Sequence, residues 1–172
     1  MVKRIFIFLV NRNDMKIKLI LTGKTEGQFI REGILLFEKR LKHYVSFEAV
    51  YLSDLRETAK LSHDQVKEKE AGQQLKQINP GDFVVLLDEK GKEFRSVEFS
   101  SFIQQRMNSG IKTLMFLIGG PYGFAKSILK RADAKLSLSR LTFSHQIVRI
   151  LFMEQLYRVF TILKNEPYHH EG

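Results

Sequence analysis

Apolar and polar positions fall in blocks that switch between two periods along the chain. Ile17, Leu19, Ile20 and Leu21 predict a buried strand that ends at Thr22-Gly23. Across 29–44, the residues Phe29, Ile30, Ile34, Leu35, Phe37, Leu41 and Tyr44 recur at helical spacing. A second strand is predicted over 47–52, and a charged helix with a thin apolar face over 62–78. Asn79-Pro80-Gly81-Asp82 is a turn. The segments 83–87 and 113–118 read as strands that are apolar on both faces. Between them, 96–107 predicts a helix with Ser100, Ser101 and Gln104 toward water. A short helix over 127–131, a short strand over 135–138 and a long apolar helix over 146–163 complete the pattern.

Strands that alternate with helices and are apolar on both faces predict an α/β fold, a parallel sheet with helices on both faces. In such sheets ligands sit beyond the carboxyl ends of the strands. Attention therefore falls on the residues just after Leu87, Ile118 and Leu138.

Met15 opens a cleaner pattern than Met1. Residues 1–14 read as an N-terminal extension, either an extra edge strand or the product of an upstream start, with the second favoured; residues 15–172 form the domain. The apolar run at 5–10 is too short for a membrane span or a signal sequence, and no targeting signal is read.

Composition narrows the partners. Lys and Arg total 28 against 19 Asp and Glu, a net charge of +9, which points to a polyanion or an anionic surface. The excess survives without residues 1–14. A basic protein with no polyanionic partner is the alternative. The absence of Cys excludes disulfides, cysteine-based zinc sites and a thiolate nucleophile, and fits a reducing cytoplasm.

Gly119-Gly120-Pro121-Tyr122-Gly123 follows a buried strand and precedes a helix. Glycines there let the backbone approach a ligand, or simply make a tight turn. No Gly-Lys-Ser/Thr follows, so this is not a P-loop, and the spacing is wrong for a dinucleotide fingerprint. Asp88-Glu89-Lys90-Gly91-Lys92 reads as a solvated turn rather than a metal site, because adjacent side chains on a strand diverge. Ser144 is a candidate cap for the long helix. His145 and Arg149 share one face at its start, where an exposed pair would attract phosphate; the alternative is a capped helix with surface charges. Glu154 and Arg158 have the spacing of an ordinary helix ion pair. Tyr168-His169-His170 is a frayed tail by one reading; by another, an aromatic ring and an imidazole stack on a base and accept a proton. No metal pair is expected from adjacent histidines.

Together these residues carry a resemblance. The order runs Met15-Lys16-Ile17, Leu87-Asp88 with Gly91-Lys92, Leu117 through Gly123, Leu136 through Phe143, then His145-Gln146, Arg149, Glu154 through Arg158, and Pro167-Tyr168-His169. The chain resembles, over residues 15–171, the bacterial RlmH family, SPOUT-class methyltransferases of pseudouridine N3 in large-subunit ribosomal RNA. It departs from the family at Ser144, where Pro is common, and at His170, which replaces a basic residue. The resemblance implies a C-terminal trefoil knot, a homodimer and S-adenosylmethionine as methyl donor. It implies as substrate a pseudouridine in the helix 69 loop of 23S rRNA, methylated on the assembled 70S ribosome in the cytoplasm. It assigns cofactor contacts to Leu87, Gly119, Leu138, Ser139, Arg140, Leu141, Thr142 and Phe143. It assigns catalytic or RNA-facing roles to His145, Arg158, Tyr168 and His169. Neither metal nor membrane is expected. Lys16, Lys18, Lys24, Arg31, Lys39, Arg40 and Lys42 are candidates for phosphate contact. The competing readings are a non-catalytic basic rRNA- or ribosome-binding protein with the same fold, and a nucleotide-binding α/β enzyme of another type. The last lacks the expected phosphate-binding lysine or ribose-binding acid.

Overall fold

The computed structural model describes residues 15–168. The reading of residues 1–14 and the role given to His169 lie outside the described residues. Five strands alternate with helices: β1 (Lys16–Leu21), α1 (Gln28–Leu41), β2 (Ser46–Tyr51), α2 (His63–Leu75), β3 (Phe83–Glu93), α3 (Ser96–Asn108), β4 (Thr113–Ile118), α4 (Lys126–Arg131), β5 (Ala134–Ser137) and α5 (Ile147–Leu163). The sheet order is β2-β1-β4-β3-β5, and every pairing is parallel. This is the α/β architecture the pattern predicts.

The period of two divides each central strand between two cores. Leu114, Phe116 and Ile118 of β4 join Ile17, Leu19 and Leu21 of β1 under α1, α3 and α5. Met115 and Leu117 face the other way with Ile20, Val84 and Leu86, covered by Ala71 of α2 and Ile128 of α4. Both faces are thus dry over 19–21, 84–86 and 114–118, which is why those stretches carry no polar alternation, while Lys16 and Lys18 mark the wetter start of β1. On α5, Phe152, Met153, Leu156, Val159 and Phe160 are buried and supply much of the first core.

Three expectations change. The stretch 88–92 is not a turn: β3 continues to Glu93, and both Leu87 and Lys92 pair with Leu136 across a register shift. Gly91 makes this possible. A Cβ there would lie 2.6 Å from the Leu136 carbonyl carbon, so only glycine lets the two backbones meet. Ser100 is buried rather than wet, its hydroxyl donating to the Val97 carbonyl at 2.7 Å. On α1, by contrast, Phe29 and Leu35 remain 70% and 61% exposed although they fall in the helical apolar pattern. Helical spacing fixes a face but not what covers it.

Candidate active site

The carboxyl ends of β3, β4 and β5 converge on one cavity of about 680 Å³. Its walls are Leu87 to Lys90, the glycine loop from Ile118 to Phe124, and the segment after β5. Among the predicted cofactor residues, Leu87, Gly119, Leu138, Ser139, Leu141, Thr142 and Phe143 all line it. His145 and Val148 close it from the start of α5. Arg140 does not line it. Its side chain is exposed, and its Nε donates to Glu93 at 3.2 Å, so it ties the loop to the end of β3.

Local hydrogen bonds shape the walls. In the glycine loop, the Gly123 amide donates to the Gly120 carbonyl at 3.1 Å, with Pro121 and Tyr122 at the turn centre. Gly123 has a φ of 79°, which a side chain would oppose. After β5, the Ser137 hydroxyl donates to the Ser139 carbonyl, and Ser139 Oγ accepts from the Leu141 amide, both at 2.9 Å. Short hydroxyls bonding their own backbone hold this segment open without a helix or ladder.

Behind the glycine loop lies a residue that motif reading missed. Glu70 of α2 is only 7% exposed, and its Oε2 has no hydrogen-bond partner. A Cβ on Gly120 would collide with its carboxyl oxygens. Burial pushes its pKa up to about 7. The signal was present: Val66, Glu70 and Gln74 are four residues apart and share the buried face of α2. Gln74 completes that face by donating to Thr22 Oγ1 at 2.8 Å.

The His145–Arg149 pair is not the exposed phosphate site that spacing suggested. Arg149 is fully buried. Its guanidinium donates to the Thr22 carbonyl at 2.6 Å, Thr25 Oγ1 at 2.6 Å and the Gly23 carbonyl at 3.3 Å, and its Nε to the His145 carbonyl at 3.2 Å. Gln146 adds bonds to the Lys24 carbonyl and the Glu26 amide. The start of α5 therefore clamps the loop after β1. Ser144 Oγ accepts from the Ile147 amide at 3.2 Å, but the N-cap position of α5 falls to Gln146, which makes no side-chain capping bond. His145 is half-buried; burial, with Arg149's charge second, pulls its pKa below the usual imidazole value.

The other predicted residues gather elsewhere. Arg158 Nη2 donates to Glu154 Oε1 at 2.6 Å, and the Tyr168 hydroxyl donates to the same oxygen at 3.1 Å. The guanidinium lies 5.0 Å from the Tyr168 ring centre, and Tyr168 packs edge-on against Tyr157. Burial, then Glu154, raises the Tyr168 pKa. Glu154 is thus the hub of the cluster. Arg158 and Tyr168 do not line the cavity, and His145 and Arg158 are separated by roughly 20 Å of helix. Several predicted phosphate contacts are already engaged: Lys16 with Glu48, Lys42 with Glu38, and Arg40 over the Phe37 and Tyr157 rings. Among the described residues, no cluster of three metal-ligating side chains occurs and no helix is long and apolar enough to cross a membrane.

A parallel sheet with its cavity beyond three strand ends, walled by backbone-rich loops, is where α/β proteins hold their ligands. The family model described as "Predicted SPOUT methyltransferase" matches residues 15–169, and the chain belongs to that family. It is 54% identical over 156 residues to the Ribosomal RNA large subunit methyltransferase H of Christiangramia forsetii, covering 91% of this chain and 99% of that one. Proteins of the same name from Parabacteroides distasonis and Flavobacterium psychrophilum are 50% and 53% identical, each over 91% of this chain and their full length.

Proposed function

We propose that this protein uses S-adenosylmethionine to methylate N3 of a pseudouridine in the helix 69 loop of 23S rRNA on assembled ribosomes, as a cytoplasmic homodimer with a C-terminal trefoil knot. The observation that carries this reading is the convergence of Leu87, Gly119 and the 138–143 segment on one cavity, in a chain half identical to proteins named as rRNA methyltransferases. The cavity is large enough for a nucleoside joined to an amino acid. Gly123 has open space at its α-carbon, while at Gly119 and Gly120 the place of a Cβ is taken by the loop's own atoms and by Glu70, so the loop backbone itself forms the wall. The residues present therefore fit the cofactor, which when bound supplies a methyl group on a positively charged sulfur.

The protein's task is placement and charge. Leu138 to Phe143 and Gly119 hold the adenosine end by backbone contact and shape. His145, its pKa held below the usual imidazole value by burial, lines the cavity from the start of α5 and faces the base there. N3 of pseudouridine must lose a proton, so negative charge needs a partner. Arg158, oriented by Glu154, supplies it; Tyr168, whose hydroxyl keeps its proton, orients the base, and His169 orients it or takes the proton. Transfer requires acceptor and methyl about 3 Å apart. One protomer cannot bring the Arg158–Tyr168 cluster to its own cavity across roughly 20 Å of helix. The second protomer contributes it instead. Exposed Phe29, Leu35 and Leu36 of α1 and Leu141, Phe143 and Ile147 beside the cavity supply apolar surface for that contact.

The test is direct. Ribosomes from cells lacking the enzyme are incubated with protein and S-adenosylmethionine, and the helix 69 fragment is read by mass spectrometry. One added methyl group on the pseudouridine is expected. No transfer overturns the enzyme reading; absence of S-adenosylhomocysteine binding as well points to a non-catalytic RNA binder. Mixing a subunit truncated before Tyr168 with a subunit mutated in the 138–143 loop tests the shared site. Activity returns in the mixed dimer, and failure to return counts against it.

A further inference from the structure

We propose that Tyr122, seated on His63, is a stacking platform for an unpaired nucleobase of the RNA substrate, distinct from the pocket that takes the cofactor's adenine. This rests on the rRNA methyltransferase reading. Tyr122 stands at the tip of the glycine turn and lines the cavity mouth, yet is 45% exposed. One face of its ring is taken: the His63 ring lies 3.9 Å away, centre to centre, at an interplanar angle of 15°. That leaves the other face for a second flat ring.

His63 is the first residue of α2, and α2 lines no part of the cavity. The stacked pair therefore carries the aromatic surface from the cavity mouth out over the protein, the direction a polynucleotide must leave. A buried adenine site would instead be walled by apolar groups and backbone, as the 138–143 segment is. Charges of both signs lie beside the pair in sequence: Asp64, the neighbour of His63, is ion-paired with Lys67 at 2.7 Å. Lys126 opens α4 four residues after Tyr122 and is exposed. Its charge reaches Asp64, the neighbour of His63, whose carboxyl is held below the usual range first by Lys67 and further by Lys126. A half-exposed ring fixed in orientation by a partner, with the exposed Lys126 four residues on, suits a base and its phosphate, since every base has a π-face. Preorganisation by His63 removes the ring's rotamer freedom before RNA arrives.

The experiment compares wild type with Tyr122→Ala, Tyr122→Phe, Tyr122→Trp and His63→Ala. KM for ribosomes, affinity for S-adenosylhomocysteine, and affinity for a fluorescent single-stranded RNA of the helix 69 loop are measured. Tyr122→Ala is expected to raise KM and weaken RNA binding about tenfold, with a much smaller change in S-adenosylhomocysteine affinity. Phe and Trp restore RNA binding, and His63→Ala gives an intermediate loss. The proposal is overturned if Tyr122→Ala leaves RNA affinity unchanged. It is also overturned if cofactor affinity falls by the same factor, which would give the ring to adenine, or if Phe fails to rescue. A wild-type protein that binds RNA through Tyr122 but transfers no methyl group would sink the methyltransferase reading and leave the platform standing.

Discussion

The Arg149 guanidinium donates to the Thr22 carbonyl at 2.6 Å from a fully buried position, joining the first turn of α5 to the end of β1. Residues far apart in sequence thereby tie the loop after β1 to the start of α5, where His145 and Val148 line the cavity. No carboxylate pairs with this cation in the described residues; neutral carbonyls and a hydroxyl hold it, and burial lowers its pKa. Truncation therefore strands several buried acceptors at once.

Arg149→Met is expected to destabilise the protein by about 3 kcal/mol, because the carbonyls of Thr22 and Gly23 lose their donors. Urea denaturation followed by far-UV circular dichroism measures it. An unchanged midpoint would show that the clamp contributes nothing.

Gly91→Ala is expected to cost about 2 kcal/mol, since its Cβ would lie 2.6 to 2.7 Å from the backbone of Leu136 and Lys135. Neither strand can yield by rotating a side chain. Weakened cofactor binding should accompany the loss, because Leu136 and Leu87 both line the cavity. Thermal melting and calorimetry check the two effects.

Gly119→Val is expected to weaken S-adenosylhomocysteine binding by about tenfold to a hundredfold. A Cβ alone would already meet the Gly123 carbonyl oxygen and the Phe124 ring at 3.3 Å. The two further methyls must enter the cavity or push the loop aside. Isothermal titration reads the change, and normal affinity would place the ligand elsewhere.

Glu70 gives stability a pH dependence. Its native pKa, about 7, stands above the ordinary value of 4.5, so the folded state binds its proton more tightly than the unfolded state. This contribution is full below about pH 4.5 and is lost as pH rises through about 7. Glu70→Gln keeps the neutral form at every pH. Its melting temperature should exceed that of wild type by a margin that grows between about pH 5 and pH 8. A constant margin would show that Glu70 does not titrate in that window.

Tyr168→Phe removes the hydrogen bond to Glu154 while keeping the ring against Tyr157 and Arg158. Turnover should fall about tenfold, the loss of one bond to a charged group. Cofactor affinity should stay within a factor of about two. Equal turnover would remove the hydroxyl from the reaction.

The order of strands and helices was legible from the chain because apolar spacing is a local property. Thr113–Ile118 matched its predicted bounds, and residues after Leu87, Ile118 and Leu138 came together as strand-end logic requires. The bond from the Ile147 amide to Ser144 Oγ was also local, although the N-cap position itself falls to Gln146. Distance in sequence hid the rest. The 88–92 segment looks like a turn because its residues are polar, and only the meeting of Gly91 with Leu136 makes it strand. Arg149 looks like a surface charge until the loop after β1 surrounds it with acceptors. Glu70 looks like one acid in a charged helix until the glycine turn seals it from water. Periodicity reports which side of an element avoids water. Whether a buried charge finds partners depends on groups brought near by the fold, and that information resides in no single stretch of chain.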